Sequence, residues 1–149
     1  MNNMDLHHRI VEYFKDRGEV LAVYLFGSFA KERQNRDSDI DLGILLKHEF
    51  ISNENKFHRI YLPGLTKQIR KDIHIVFMNN TGEGILSQIF KYGRCIVNNS
   101  PDELTRFKMT RYSMIADFSY QKNISSAARA VAHTDRRVSD SVSPLKRIE

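Results

Sequence analysis

Hydrophobic and polar positions alternate along this chain in two different periods, and together they predict a mixture of short strands and helices. Four apolar runs have the length and the aliphatic or β-branched content of buried strands. Between them, apolar residues recur every three or four positions, as on one face of an amphipathic helix. The four predicted strands are Leu21–Phe26, Leu42–Leu46, Arg94–Val97 and Asp72–Met78, and in the last of these apolar and polar residues alternate imperfectly. The main helical patterns are Asp5–Arg17, Asn53–Ile69, Thr81–Tyr92 and Pro101–Phe118.

Turn residues mark where several of these elements end. Gly18 and Gly93 follow helical patterns and are candidate C-caps, while Thr81 is a candidate N-cap. Pro63-Gly64 interrupts the second helical pattern, so the pattern fits either one kinked helix or two short helices. Strong periodicity is lost after Phe118. We therefore predict one domain over residues 1–118 and a C-terminal extension over 119–149 that is partly disordered or weakly helical.

The most informative stretch lies between the first two strands. Gly27-Ser28 ends the first strand, and Asp39 and Asp41 stand at the start of the second. Strand side chains alternate, so these two carboxylates point to the same face and repel each other unless a cation lies between them. Mg²⁺ is commonly held by one or two carboxylates together with substrate phosphates. The Gly-Ser turn offers close backbone approach and hydrogen-bond donors to an anion, so the stretch predicts a metal and triphosphate site.

A short helix is predicted over 29–33, followed by a polar loop. Arg33 in this helix either faces solvent or reaches a bound triphosphate.

The spacing of these residues resembles a known family. Gly27-Ser28, ten residues and then Asp39-Ile40-Asp41 match the G-S-x10-D-x-D signature of the DNA polymerase beta-like nucleotidyltransferase superfamily. The residues around this signature resemble those of the smallest branch of the superfamily, the minimal nucleotidyltransferase (MNT) domains. The similarity extends from about Asp5 to Phe118. The resemblance implies an α+β nucleotidyltransferase fold, with a small mixed sheet of about four strands flanked by helices on one side.

The resemblance also implies an activity and a partner. MNT domains are commonly encoded beside HEPN-domain proteins in toxin–antitoxin pairs. By resemblance, the chain is an antitoxin that uses Mg²⁺, held by Asp39 and Asp41, to transfer AMP from ATP or another nucleoside triphosphate to a hydroxyl of a HEPN toxin. A tyrosine hydroxyl is the expected acceptor. Gly27, Ser28 and Arg33 would bind the nucleotide. A small-molecule nucleotidyltransferase is a weaker alternative, because those enzymes usually carry a second domain for the acceptor.

The third strand departs from the family pattern. In the family this strand carries a third carboxylate, which acts as general base and often completes the metal site. Here that position falls on His74, and Asp72 stands two residues earlier on the same face. Either residue can be the base, or the site is degenerate and the chain neutralises its partner by binding alone.

Composition adds limits to this hypothesis. The formal net charge of +5 suits an anionic substrate or an acidic partner, without the dense basic patch expected for direct nucleic-acid binding. A single cysteine, Cys95, excludes an internal disulfide and a cysteine-based zinc site. No apolar run approaches a membrane span and the polar start lacks a signal peptide, so we expect a cytoplasmic protein without a membrane partner.

Overall fold

A mixed four-stranded sheet forms the centre of the fold. The computed structural model describes residues 2–27 and 39–116. In these ranges the strands are β1 (Val20–Phe26), β2 (Ile40–Leu46), β3 (Ile73–Phe77) and β4 (Arg94–Asn98). They are ordered β3-β2-β1-β4 across the sheet. β1 is antiparallel to β2 and β4, whereas β2 and β3 are parallel. The α+β class and the mixed sheet are therefore confirmed.

Four helices accompany the sheet in the described part of the chain. They are α1 (Asn3–Phe14), α2 (Glu54–Ile69), α3 (Glu83–Tyr92) and α4 (residues 101–116). Two short 3-10 helices, His48–Asn53 and Met78–Asn80, connect strands to helices. Two predicted ends were wrong. α1 stops at Phe14 and has Lys15 as its C-cap, and Gly82 instead of Thr81 is the N-cap of α3.

Helix α2 passes through Pro63 as one helix, which decides between the two alternatives. A close contact between α1 and α2 explains why a glycine, Gly64, follows the proline. An added Cβ at Gly64 would lie 2.7 Å from the hydroxyl oxygen of Tyr13, so its absence allows α1 and α2 to pack closely. The helix ends at Arg70, which adopts the left-handed conformation (φ 59°) and donates its N–H to the carbonyl of Thr66.

Helices cover both faces of the sheet, which corrects the expected arrangement on one side. Val23 and Leu25 in β1 belong to the apolar core that includes residues of α1 and α2. Tyr24, between them, points to the other face, where its ring contacts Phe90 of α3 and Phe90 in turn contacts Phe107 of α4. A strand that is apolar on both faces needs cover on both, because strand side chains alternate.

The packing of α1 and α2 centres on a buried tyrosine. Tyr61 has no exposed surface, and its ring packs on Phe14 and stacks on Phe57. Its hydroxyl donates a hydrogen bond of 2.5 Å to a carboxylate oxygen of Glu19. Burial, and then the Glu19 hydrogen bond, raise the pKa of Tyr61. The hydroxyl therefore stays protonated, and its hydrogen bond links α2 to Glu19 in the turn before β1.

Replacing Tyr61 with phenylalanine is expected to lower the free energy of unfolding by about 1–2 kcal/mol. The ring packing is kept, but a hydrogen bond to a charged group is lost and Glu19 keeps part of its desolvation cost. Tyr13→Phe is the matched control, because that hydroxyl makes only a 3.4 Å contact with the carbonyl of Ile60. Urea unfolding of both variants measures the difference. Equal stability of the two variants would contradict the role given to the Glu19 hydrogen bond.

By its internal contacts the chain divides into two compact units, Met1–Arg111 and Tyr112–Glu149. Within residues 2–27 and 39–116, no helix is both long and apolar enough to cross a membrane. The helix predicted over 29–33 and the extension predicted over 119–149 lie outside the described residues, so the predicted domain boundary stays a prediction.

Candidate functional site

Three of the residues singled out in the sequence meet where the neighbouring strands β1, β2 and β3 begin or end. Asp41 is the second residue of β2 and stands opposite Phe26 in β1, the residue before Gly27. On its other side Asp41 stands opposite His74 in the parallel strand β3. Side-chain alternation places Asp41 on the α3 side of the sheet, because its neighbours Ile40 and Leu42 belong to the core on the α1 and α2 side. Strand pairing thus brings Gly27, Asp41 and His74 together.

Gly27 is required by both its conformation and its neighbour. Its φ of +72° lies in the left-handed region, which side chains with a Cβ rarely adopt. An added Cβ would lie 2.2 Å from one carboxylate oxygen of Asp41 (Oδ2) and 3.1 Å from its Cγ. The carboxylate of Asp41 therefore rests directly against the glycine backbone. This contact places the end of β1 and the start of β2 at one point.

The other carboxylate oxygen of Asp41 faces a histidine. His74 Nδ1 lies 3.2 Å from Asp41 Oδ1. The Asp41 side chain is 27% exposed and that of His74 is 67% exposed, so the pair lies at the boundary between the fold and solvent. Burial raises the pKa of Asp41, the hydrogen bond and charge of His74 oppose this, and the charge of Asp39 raises it further. The ionised form of Asp41 is therefore disfavoured at this position, and a nearby cation would lower that cost.

Of the other site residues predicted from the sequence, those that the structure describes lie at different distances from Gly27, Asp41 and His74. Asp39 directly precedes β2 and is exposed, and its charge acts on Asp41. Asp72 is exposed and precedes β3, and its backbone carbonyl accepts a hydrogen bond of 2.9 Å from the N–H of Ile40. By strand alternation, its side chain is expected on the same face of the sheet as that of His74, about 7 Å away along the chain direction. Ser28 and Arg33 lie outside the described residues.

The donor set fits a hard divalent cation that is also held by a substrate. Among residues 2–27 and 39–116, no group of three or more histidine, cysteine, aspartate or glutamate side chains is arranged to hold a metal. Two carboxylates are nevertheless sufficient when nucleotide phosphates supply further ligands, as is common for Mg²⁺. The raised pKa of Asp41 beside Asp39 is consistent with such a cation, because a positive charge there would relieve the repulsion between the two carboxylates.

One contributor to the site was missed from the sequence. Gly43 follows Asp41 by two positions on the same face, and a Cβ there would lie 3.2 Å from Cδ1 of Ile89 and 3.3 Å from Met78. The glycine therefore lets α3 approach the sheet next to the carboxylates. The available signal was a glycine inside an apolar strand, which often marks a close approach of another element.

A cavity of about 560 Å³ lies elsewhere, at the far end of β2. Its wall includes Leu46, five residues from Asp41, which corresponds to about 16 Å along a strand. The carboxylates do not line it, so we do not assign the chemistry of Asp41 to this cavity. The lining residues are Leu21, Leu45, Leu46, Lys47, His48, Glu49, Ile51, Asn79, Glu103, Arg106, Phe107 and Arg111.

Comparison with known proteins shows the family of the chain and structures of similar fold. Residues 8–102 match the family described as polymerase beta, nucleotidyltransferase. The fold is similar to that in a crystal structure of a toxin–antitoxin with AMP-PNP, with 19% identity, a TM-score of 0.66, and coverage of 78% of this chain and 92% of that one. No curated protein sequence matches significantly.

Two further structures are similar in fold. One is the tri-AMPylated Shewanella oneidensis HEPN toxin in complex with MNT antitoxin, with 16% identity, a TM-score of 0.63, and coverage of 82% of this chain and 93% of that one. The other is the MntA–HepT toxin–antitoxin, with 16% identity, a TM-score of 0.61, and coverage of 80% and 92%. At these identities the likeness shows a shared fold.

Proposed function

Because the chain belongs to the polymerase beta nucleotidyltransferase family, we propose that it transfers AMP from ATP to a hydroxyl group of a HEPN-domain toxin and acts as its antitoxin. The single observation that carries the proposal is the meeting of Gly27, Asp41 and His74 at these strand ends, with Asp39 beside them. It combines a close backbone approach at Gly27 with two neighbouring carboxylates, Asp39 and Asp41. A metal-bound triphosphate fits that combination.

Asp39 and Asp41 would hold Mg²⁺ in this proposal. When bound, the cation would neutralise charge on the triphosphate and on the departing pyrophosphate. Asp41 is positioned for this by two neighbours, the Gly27 backbone behind Oδ2 and the His74 ring beside Oδ1. Gly27 and Ser28 would seat the phosphates through backbone and hydroxyl donors, and Arg33 would add a positive charge.

The proposed reaction is an in-line displacement at the α-phosphorus. The acceptor hydroxyl oxygen forms the new P–O bond, the bond between the α-phosphorus and the bridging oxygen breaks, and pyrophosphate leaves with the electron pair. The hydroxyl proton passes to a base, which is His74 or Asp72. Both side chains are exposed, so an acceptor can reach them. His74 lies beside Asp41, whereas Asp72 lies about 7 Å farther along.

Support for the nucleotide and the partner comes from proteins of similar fold. One such structure is a toxin–antitoxin with AMP-PNP, and another contains a tri-AMPylated HEPN toxin with its MNT antitoxin. In the proposal this chain has the MNT role, and the acceptor is a tyrosine hydroxyl of the toxin. A macromolecular acceptor also fits the small first unit, Met1–Arg111, which is built around one four-stranded sheet.

A second candidate function is neutralisation of the toxin by binding alone. The observation that favours it is His74, which stands beside Asp41 where the family has a third carboxylate. Binding of Mg-ATP separates the two candidates. A working site gives thermal stabilisation that grows with ligand concentration by mass action, about 2.7 kcal/mol at a hundred times Kd.

The transfer reaction itself is the direct test. The purified chain is incubated with ATP labelled at the α-phosphate, Mg²⁺ and a HEPN-domain protein of the same organism. We expect label on the HEPN protein, on tyrosine by mass spectrometry, and none when the Asp39→Ala/Asp41→Ala double variant replaces the chain. A stable complex that forms without any transfer of label would overturn the enzymatic proposal and leave neutralisation by binding.

A further inference from the structure

The histidine beside Asp41 has a definite orientation. The register of the parallel pair β2 and β3 sets His74 opposite Asp41, and the ring turns its Nδ1 atom to Oδ1 at 3.2 Å. Most of the His74 side chain is exposed, and an exposed ion pair of this kind contributes little to stability. The pair therefore adds little to the stability of the fold, and the exposed ring of His74 is accessible to a ligand.

The distance between the two atoms suits two ligands of one cation. In an octahedral site with bonds of about 2.1 Å, neighbouring ligand atoms lie about 3.0 Å apart. The Nδ1 and Oδ1 atoms are separated by nearly this distance without any rearrangement of the strands. Nitrogen and oxygen donors thus converge at the point where the proposed function needs a metal.

We propose that His74 is a cation ligand through Nδ1, together with Asp41, and that it shifts the preference of the site from Mg²⁺ to a first-row transition cation such as Mn²⁺. This inference rests on the proposed nucleotidyltransferase function and adds its metal preference. Mg²⁺ binds oxygen donors, whereas the affinity of nitrogen-containing sites rises from Mn²⁺ towards later transition metals. An imidazole in place of a carboxylate therefore lowers the affinity for Mg²⁺ more than the affinity for Mn²⁺.

The assignment also decides between the two candidate bases. A histidine that gives its Nδ1 lone pair to a cation carries its proton on Nε2, so it has no free lone pair to accept the proton of the acceptor hydroxyl. Asp72 then remains as the base. Its side chain is exposed just before β3, so it is accessible to an acceptor from another protein.

The experiment compares metals in nucleotide binding, which does not require turnover. A non-hydrolysable ATP analogue is titrated calorimetrically into the chain with Mg²⁺ or with Mn²⁺. The variants are His74→Asp, which restores a carboxylate, His74→Ala, and His8→Asp as a control on the exposed surface of α1. Loss of a residue that orients a metal ligand costs about 10–100-fold in affinity. We therefore expect the ratio of Kd with Mg²⁺ to Kd with Mn²⁺ to fall at least about tenfold in His74→Asp and to stay unchanged in His8→Asp.

A spectroscopic readout identifies the ligand directly. Pulsed electron paramagnetic resonance of the Mn²⁺-loaded chain with the analogue is expected to show coupling to a histidine nitrogen, which disappears in His74→Asp and His74→Ala. An unchanged metal ratio and no nitrogen coupling, with nucleotide still bound, would overturn the inference and leave the proposed function intact. Absence of metal-dependent nucleotide binding in every form, including the unmodified chain, would overturn both.

Discussion

Replacing Asp41 with asparagine is expected to reduce the proposed AMP transfer at least about hundredfold, since even residues that merely orient a metal ligand contribute 10–100-fold. Asparagine has almost the same shape, so the contacts with the Gly27 backbone and the His74 ring can be kept. What is lost is the negative charge that would hold the cation between substrate and protein. The measurement is the rate of label transfer from ATP at saturating acceptor.

The same substitution is expected to leave the melting temperature unchanged or to raise it. Burial and the charge of Asp39 raise the pKa of Asp41, so the ionised form is less favourable in the folded chain than in the unfolded chain. A neutral amide removes that cost, and active-site residues often show this opposition between stability and activity. Asp16→Asn, at an exposed position after α1, is the matched control and is expected to retain both transfer and stability.

Two results would contradict this account of Asp41. Transfer that persists at more than about a tenth of the original rate would mean that the carboxylate does not hold the cation. A fall in melting temperature of many degrees would mean that Asp41 serves the fold and that the loss of transfer follows from unfolding. Circular dichroism of the variant, taken under the assay conditions, distinguishes these results.

The strands and the place of the site could be predicted from the sequence because both depend on local patterns. An apolar run that ends at Gly27 and another that begins around Asp41 define two strand ends, and strand alternation sets the direction of the carboxylates. The composition of β1 also indicates which faces of the sheet are covered. Its seven residues are all apolar, which is typical of a strand covered on both faces, as the structure has it.

The contacts that complete the site could not be predicted from local patterns. The meeting of Asp41 with His74 joins residues 33 positions apart and depends on the parallel pairing of β2 with β3. The continuity of helix α2 through Pro63 could not be predicted from local patterns either. Local propensity predicts a possible break at Pro63, but tertiary packing of α2 against α1 keeps one helix. Non-local pairing and packing decide both features, and neither leaves a mark in a short window of sequence.

Replacing Gly27 with alanine is expected to lower the proposed AMP transfer about hundredfold and to destabilise the fold by about 1–3 kcal/mol. A residue with a Cβ costs about 1–2 kcal/mol in the left-handed region, and the new Cβ would lie 2.2 Å from Asp41 Oδ2. The carboxylate must then move by an ångström or more, and a displacement of this size at a reacting centre can cost about hundredfold in rate. Gly18→Ala is the control, because a Cβ there meets nothing within 4 Å.

A double-mutant cycle separates the clash from the backbone strain. In an Asp41→Ala background the carboxylate is absent, and the nearest remaining atom to the new Cβ is the Asp41 Cβ position at 3.3 Å. Urea unfolding should then show that Gly27→Ala costs less in this background than in the unmodified chain, by about 0.5–3 kcal/mol, the range of coupling between residues in contact. Equal costs in the two backgrounds would mean that Gly27 is kept only for its φ, and that the position of Asp41 does not depend on it.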